Sequence, residues 1–217
     1  MKITVIDVYQ RLYNAFGPQA WWPANNNYEM LIGAILTQNT NWQNVEKALA
    51  NLKHPITPAK ILSLSQEDLA SLIRPSGYHN QKAQRILQFT HWFMQYDGDI
   101  EQIKQINGVQ LRAILLSLKG IGPETADCML VYAFDKPFFI IDTYTGRLFE
   151  RIGFAVAKQY AAFQLQIELA LGQAFSLTIC NEFHALIIRQ GKDYCKATPS
   201  CQNCPLNQLC HYYQYRQ

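Results

Sequence analysis

Residues 111–151 read LRAILLSLKGIGPETADCMLVYAFDKPFFIIDTYTGRLFER, and the fold is decided here. Leu111 to Leu118 is apolar and helix-forming. Lys119-Gly120-Ile121-Gly122 interrupts it, because glycine tolerates backbone angles closed to other residues. Pro123 suits the first position of a new helix, where a missing N–H costs nothing. That helix, over roughly Glu124 to Phe134, gathers Ala126, Met129, Leu130 and Ala133 on one face. The product is a helix, a Gly-x-Gly hairpin and a second helix. Backbone N–H groups at Gly120, Gly122 and the second helix start form a positive concavity suited to a phosphate. Such a contact positions nucleic acid without reading its sequence.

Further along, Phe138 to Ile141 is an apolar run with Asp142 directly behind it. A carboxylate in such surroundings is costly unless it has partners. Thr143, Tyr144, Thr145 and Arg147 then open another helix. Asp142 therefore has two readings, as the N-cap of that helix or as a catalytic acid or base.

LKGIGPETA followed by IIDTYTGRLFERIG resembles the helix-hairpin-helix and the Gly/Pro-rich loop with Asp of the endonuclease III superfamily of DNA glycosylases. The resemblance implies that Lys119, Gly120, Ile121, Gly122 and Thr125 bind the DNA backbone and that Asp142 is the catalytic carboxylate. Matching residues in order, with the Asp at the expected remove, make this specific, where a lone Gly-x-Gly would be weak. AILTQNT and RPSGYHNQKA extend the likeness in the same order over nearly the whole chain. It implies two helical lobes flanking a DNA-binding cleft. One lobe spans 25–134, with the helix-hairpin-helix at about 111–134, and the other joins 1–24 to 135–217. Gln38 is then expected in the cleft, near the gap left by a flipped nucleotide; a polar side chain at the edge of the core is the alternative.

Composition agrees with a folded chain, since hydrophobic residues make up 49% of its 217 residues and charged residues 16%. A formal net charge of +3 permits nucleic acid as a partner without requiring it. No apolar run reaches the ~18 residues of a membrane span. MKITVIDVYQRLYNAFG carries Asp7 and Arg11 within its apolar pattern and reads as an amphipathic helix, not a signal peptide. The expectation is a monomer in the cytoplasm, associated with the nucleoid in a bacterium. Three structural disulfides are not expected in that compartment.

The remaining periodicities are helical. Val5 to Phe16, Tyr28 to Thr37, Trp42 to Leu52, Tyr78 to Tyr96, Ile100 to Ile106, Ala155 to Leu171 and Phe175 to Gln190 are expected as helices, and no stretch alternates as a strand does. The class is all-α. Lys82 and Arg85 fall near the start of the fourth of these helices, and Cys128 and Cys180 read as core. Trp21-Trp22-Pro23 sits in a polar loop, where two indoles either plug the core or work at a surface.

Cys195, Cys201, Cys204 and Cys210 are spaced C-x5-C-x2-C-x5-C. Such a set points to a metal, and zinc and [4Fe–4S] both accept four thiolates. The superfamily favours [4Fe–4S] over zinc, since many members end in a similar loop, although their first spacing is usually x6. The cluster would fold a loop too small for a core of its own. Lys192, Lys196 and Arg216 lie near enough in sequence to face phosphates.

Bifunctional members of the superfamily carry a lysine two residues after the second hairpin glycine, which attacks the sugar as an amine. Glu124 stands there in this chain, and a carboxylate cannot form an imine. WWP, LTQNTNW, RPSGYHNQKA and GIGPETADCML are similar to the 3-methyladenine DNA glycosylase III family, in which aromatics line the base pocket. Carried over, Trp21, Trp22, Pro23 and Trp42, with Gln38, would receive a flipped base from damaged double-stranded DNA. Indole faces attract the positive charge of an N-alkylated purine. The implied activity is a monofunctional glycosylase. A glycosylase for oxidised pyrimidines or mismatched adenine, and a non-catalytic DNA-binding iron–sulfur protein, are the alternatives.

Overall fold

The computed structural model describes residues 3–215, so Arg216 lies outside the described residues. Thirteen α-helices and no strand occur among them. In chain order they are α1 (Val5–Phe16), α2 (Asn27–Leu36), α3 (Trp42–Leu52), α4 (Pro58–Leu62), α5 (Gln66–Leu72), α6 (His79–Phe93), α7 (Ile100–Lys104), α8 (Gly108–Ser117), α9 (Pro123–Tyr132), α10 (Thr143–Ile152), α11 (Tyr160–Leu171), α12 (Leu177–Asp193) and α13 (His211–Gln214). The starts follow from local chemistry. Thr4, Asn26, Asn41, Thr57, Ser65 and Ser176 each accept a backbone N–H from the first turn they precede.

Several ends differ from the periodicity. Tyr78 was expected inside a helix, but its φ of 45° puts it in the left-handed region, and α6 begins one residue later. The expected helix from Ala155 starts only at Tyr160. Gly153, at φ 106°, closes α10, and Phe154 N–H returns to Phe149 O at 3.0 Å, which directs the chain away from a new helix. The last long helix runs on to Asp193 through Gly191. That glycine is there for close approach, since a Cβ on it would overlap the Tyr144 ring.

The chain divides into two compact units, one from Trp22 to Lys136, the other made of the segment up to Trp21 and the chain from Pro137 onward. In the first, α2 is buried from Tyr28 to Leu36 and packs against α9, α6 and α3. Its last carbonyl, Leu36 O, accepts from Lys82 Nζ at 2.8 Å, and Ser76 O accepts from the same ammonium at 2.7 Å. Lys82 is 1% exposed, and burial, with Arg85 nearby, lowers its pKa to about 8. α8 and α9 are tied by Arg112, whose Nε and Nη2 donate to the two oxygens of the fully buried Asp127 at 2.6 and 3.0 Å.

In the second unit α12 packs on α1 and α10. Phe183 meets Tyr9, Phe139 and Phe149 edge-on, with centroids 5.4, 5.5 and 6.3 Å apart.

Candidate active site

The hairpin is built as its sequence suggests, with one change of emphasis. Only Gly120 needs to be glycine for conformation, at φ 86°, and a Cβ there would also overlap the Arg85 side chain. Gly122 has an ordinary φ of −88° and open space around a would-be Cβ; it is the N-cap of α9. Ile121 N–H is committed to Leu118 O at 3.0 Å, and the Ile121 side chain is buried as the plug of the turn. Lys119 and Gly122 are exposed, whereas Thr125 is buried.

Gln38 and Thr125 belong to one hydrogen-bond network behind the hairpin. Gln38 Nε2 donates to Gly120 O and to Thr125 Oγ1, both at 3.0 Å, and Gln38 Oε1 accepts from Arg85 Nη1 at 2.6 Å. Gln38 is thus a half-buried brace behind the hairpin, and Thr125 is its anchor on α9. Arg85, to which the sequence reading assigned no part, lays its stem along Gly120 and completes the network. Such links join residues far apart in the chain, so no local pattern reveals them.

The aromatics form a group within the unit that Trp22 opens. Trp22 stands edge-on to Trp42 at 5.3 Å and tilted to Tyr132 at 5.3 Å, over the bare Cα of Gly33. Trp42 Nε1 donates to Glu46 at 2.9 Å, one turn along α3, and Pro23 is exposed. Tyr132 was missed because it reads as one more apolar residue of α9. Trp21 belongs to the other unit, where Lys192 Nζ lies 5.7 Å from its ring centre.

Asp142 satisfies its cap reading through one oxygen. Its Oδ1 accepts from Thr145 N–H and from Thr145 Oγ1, each at 2.7 Å. Oδ2 faces Nε2 of His184 on α12 at 3.8 Å. His184 is 3% exposed; burial lowers its pKa, against a smaller upward pull from Asp142. The imidazole is therefore neutral near pH 7. The sequence hides this residue in an apolar helix pattern.

Cys195, Cys201, Cys204 and Cys210 line one small cavity with Arg151, Gln190, Tyr194 and Leu206. Among the described residues no three Cys, His, Asp or Glu side chains stand as a finished set of metal ligands. The donor chemistry nonetheless fits a soft metal group. Gln190 Nε2 points at Cys204 Sγ at 3.0 Å and Arg151 Nη1 at Cys195 Sγ at 3.4 Å, as N–H groups do toward negative sulfur. Burial pushes the Cys204 and Cys210 thiols up, so thiolates there call for a cation. Arg151 also donates to Lys196 O at 2.6 Å and Ala197 O at 3.0 Å, and Arg147 to Cys195 O at 2.7 Å, which fastens the loop to α10.

Residues 32–170 match the model of the HhH-GPD superfamily base excision DNA repair proteins. The chain belongs to the HhH-GPD superfamily. A Methanocaldococcus jannaschii protein, named provisionally as a DNA repair glycosylase, is 40% identical over 211 residues, covering 95% of each chain. Within the HhH-GPD superfamily the fold is close to two solved structures. One is the H. pylori 3-methyladenine DNA glycosylase bound to 1,N6-ethenoadenine, with a TM-score of 0.77 and 29% identity over 88% of this chain and 98% of that one. The other is a trapped endonuclease III–DNA covalent intermediate, with a TM-score of 0.79 and 25% identity over 99% of each. HhH-GPD membership makes this chain one of the base excision DNA glycosylases. No helix among the described residues is long and apolar enough to cross a membrane.

Proposed function

We propose that this chain is a monofunctional DNA glycosylase that hydrolyses the N-glycosidic bond of a flipped, alkylated purine such as 3-methyladenine in double-stranded DNA. Asp142 is the observation that carries the reaction. One oxygen is fixed by Thr145, and the other is left to meet charge on a sugar or a water. Glu124, exposed in the first turn of α9, occupies the position at which lyase chemistry uses an amine. Lys82 offers no substitute, because its ammonium is buried between two carbonyls. The paired indoles Trp22 and Trp42, and the resemblance to a neighbour that binds an ethenoadenine, support a purine pocket.

An alkylated purine is cationic and leaves as a neutral base. Little general-acid help is needed, and the enzyme's task reduces to stabilising the oxocarbenium-like sugar and directing water. The Asp142 carboxylate does both. Flipping costs a few kcal/mol and is easiest for damaged bases, which adds selectivity before any contact is made. The experiment is to incubate the protein with alkylated DNA, identify the released bases and add borohydride in parallel on alkylated and abasic duplexes. Free alkylpurine without strand nicks or a covalent adduct is expected. A trapped adduct would show that some lysine acts as nucleophile.

The hairpin is assigned to a DNA phosphate. Gly122→Asp separates binding from folding. Asp is a good N-cap and the space is open, so thermal stability should hold. The new carboxylate repels phosphate, so affinity should fall to a similar degree for damaged and undamaged duplexes. Weakened binding to alkylated DNA alone would contradict the assignment.

Cys195, Cys201, Cys204 and Cys210 are the residues that would hold a [4Fe–4S] cluster. When bound it supplies a covalent cross-link in place of a hydrophobic core for that loop. The purified protein is expected to be yellow-brown, with broad absorbance near ~400 nm and about four irons per chain. Stoichiometric zinc without iron would rule out the cluster.

A further inference from the structure

We propose, building on the hairpin's assignment to a phosphate, that Arg85 is a side-chain ligand for the DNA phosphate at that turn. Arg85 projects from α6, and its stem passes so close to Gly120 that a Cβ there would overlap Arg85 Nε and Cδ. Its Nη1 donates to Gln38 Oε1 at 2.6 Å, and Gln38 Nε2 donates in turn to Gly120 O at 3.0 Å. The guanidinium is thus held beside the turn by a side chain that is itself tied to the turn. Gly120 and Gly122 N–H have no backbone acceptor among the described residues, whereas Ile121 N–H has one. A charged fork and two unfilled backbone donors therefore meet at one hairpin, and all of them belong to the unit from Trp22 to Lys136.

The chemistry of the fork favours an anion. A guanidinium carries five N–H donors and no acceptor. One donor is spent on Gln38, a neutral amide, and among the described residues no carboxylate pairs with Arg85. Arg85 is half-buried, and a charge partly removed from water is costly without an opposite charge beside it. The buried Lys82 ammonium adds to that cost, since it is near enough for Arg85 to help lower its pKa. A phosphate at the turn offsets these positive charges, and the planar fork suits its oxygens through parallel N–H···O bonds. The brace also has a purpose under this reading. A long side chain already held in place loses little further freedom when a ligand arrives. An arginine that only kept the surface soluble would gain nothing from being held. The contact reads no base, so it serves damaged and undamaged duplexes alike.

The test compares wild type, Arg85→Met, Arg85→Gln, Arg85→Lys and Gly122→Asp as full-length proteins. Affinity for an undamaged duplex, and for one with a tetrahydrofuran abasic analogue, is measured from about 50 to 200 mM salt, together with the thermal midpoint of each protein. Arg85→Met is expected to weaken binding to both duplexes alike. Its plot of log affinity against log salt should be shallower than that of wild type by about 0.9, the counterions released at one phosphate. Arg85→Gln is also neutral but can still donate to Gln38. It should share the shallow slope, and it replaces the methionine variant if that one does not fold. Arg85→Lys keeps the charge and should keep the wild-type slope. Affinity lost at an unchanged slope in the neutral variants would make Arg85 a brace of the turn alone and overturn the proposal. So would wild-type affinity in those variants, a lysine variant as shallow as they are, or failure of both neutral variants to fold. If Gly122→Asp weakens binding while the Arg85 variants bind as wild type does, only the role of Arg85 falls. If Gly122→Asp binds both duplexes as tightly as wild type, the hairpin reading falls and takes this proposal with it.

Discussion

Asp142→Asn is expected to lower base excision by at least ~100-fold, the scale of losing an electrostatic contact made in the transition state. The substitution is informative because it separates the two duties of the residue. Asparagine caps helices about as well as aspartate. Its carbonyl oxygen can replace Oδ1 as acceptor for Thr145 N–H and Thr145 Oγ1, so the start of α10 should be unchanged. What disappears is the negative charge opposite a sugar that becomes cationic. Binding to abasic or damaged duplexes should survive and even tighten, because an uncharged side chain no longer faces the phosphates. Single-turnover release, an equilibrium binding curve and a thermal melt separate these effects. Excision at the wild-type rate by a folded Asp142→Asn protein would remove Asp142 from the mechanism. A fall in melting temperature as large as the fall in rate would show that the cap, and not the charge, was lost.

Asp142 also shows why the sequence is legible in some places and silent in others. Cap and catalyst were alternative readings, yet the geometry lets one oxygen cap while the other faces His184. Helix starts were readable because Asn41 and Ser176 act on backbone within three residues of themselves. The glycine hairpin was readable because Gly120 states its backbone requirement locally. The cysteine spacing picked out four residues that line one cavity. Other features depend on partners far along the chain. Gln38 was open between the cleft and the edge of the core, and its amide is engaged by Gly120, Thr125 and Arg85. The last long helix was expected to end at Gln190, but α12 continues to Asp193 through Gly191, whose missing side chain leaves room for the Tyr144 ring. His184 had no signal at all, since one polar residue in an apolar helix stripe is commonly a satisfied core residue.

Arg112→Ala is expected to destabilise the unit that carries the hairpin by about 3–5 kcal/mol, the range for removing one partner of a buried ion pair. Arg112 joins α8 to α9, the two helices that the hairpin connects, through both oxygens of Asp127. Asp127 has no exposed side-chain surface, whereas Arg112 retains 19%. Losing the arginine takes the fork away from a carboxylate that has no exposed surface, whereas losing the aspartate leaves a guanidinium with some access to solvent. Asp127→Ala should accordingly cost less than Arg112→Ala. The pair itself need not be a large net source of stability, because two charges must be desolvated to form it. Arg112→Met with Asp127→Leu should recover most of the loss, as apolar replacements of buried pairs often do. Urea denaturation of the two single variants and the double variant measures all three values and their coupling. A single-variant loss below ~1 kcal/mol, the ordinary size for an exposed pair, would mean that water reaches Asp127 after all. A double variant no better than Arg112→Ala would mean that the geometry of the fork holds α8 against α9 in a way that apolar packing cannot replace.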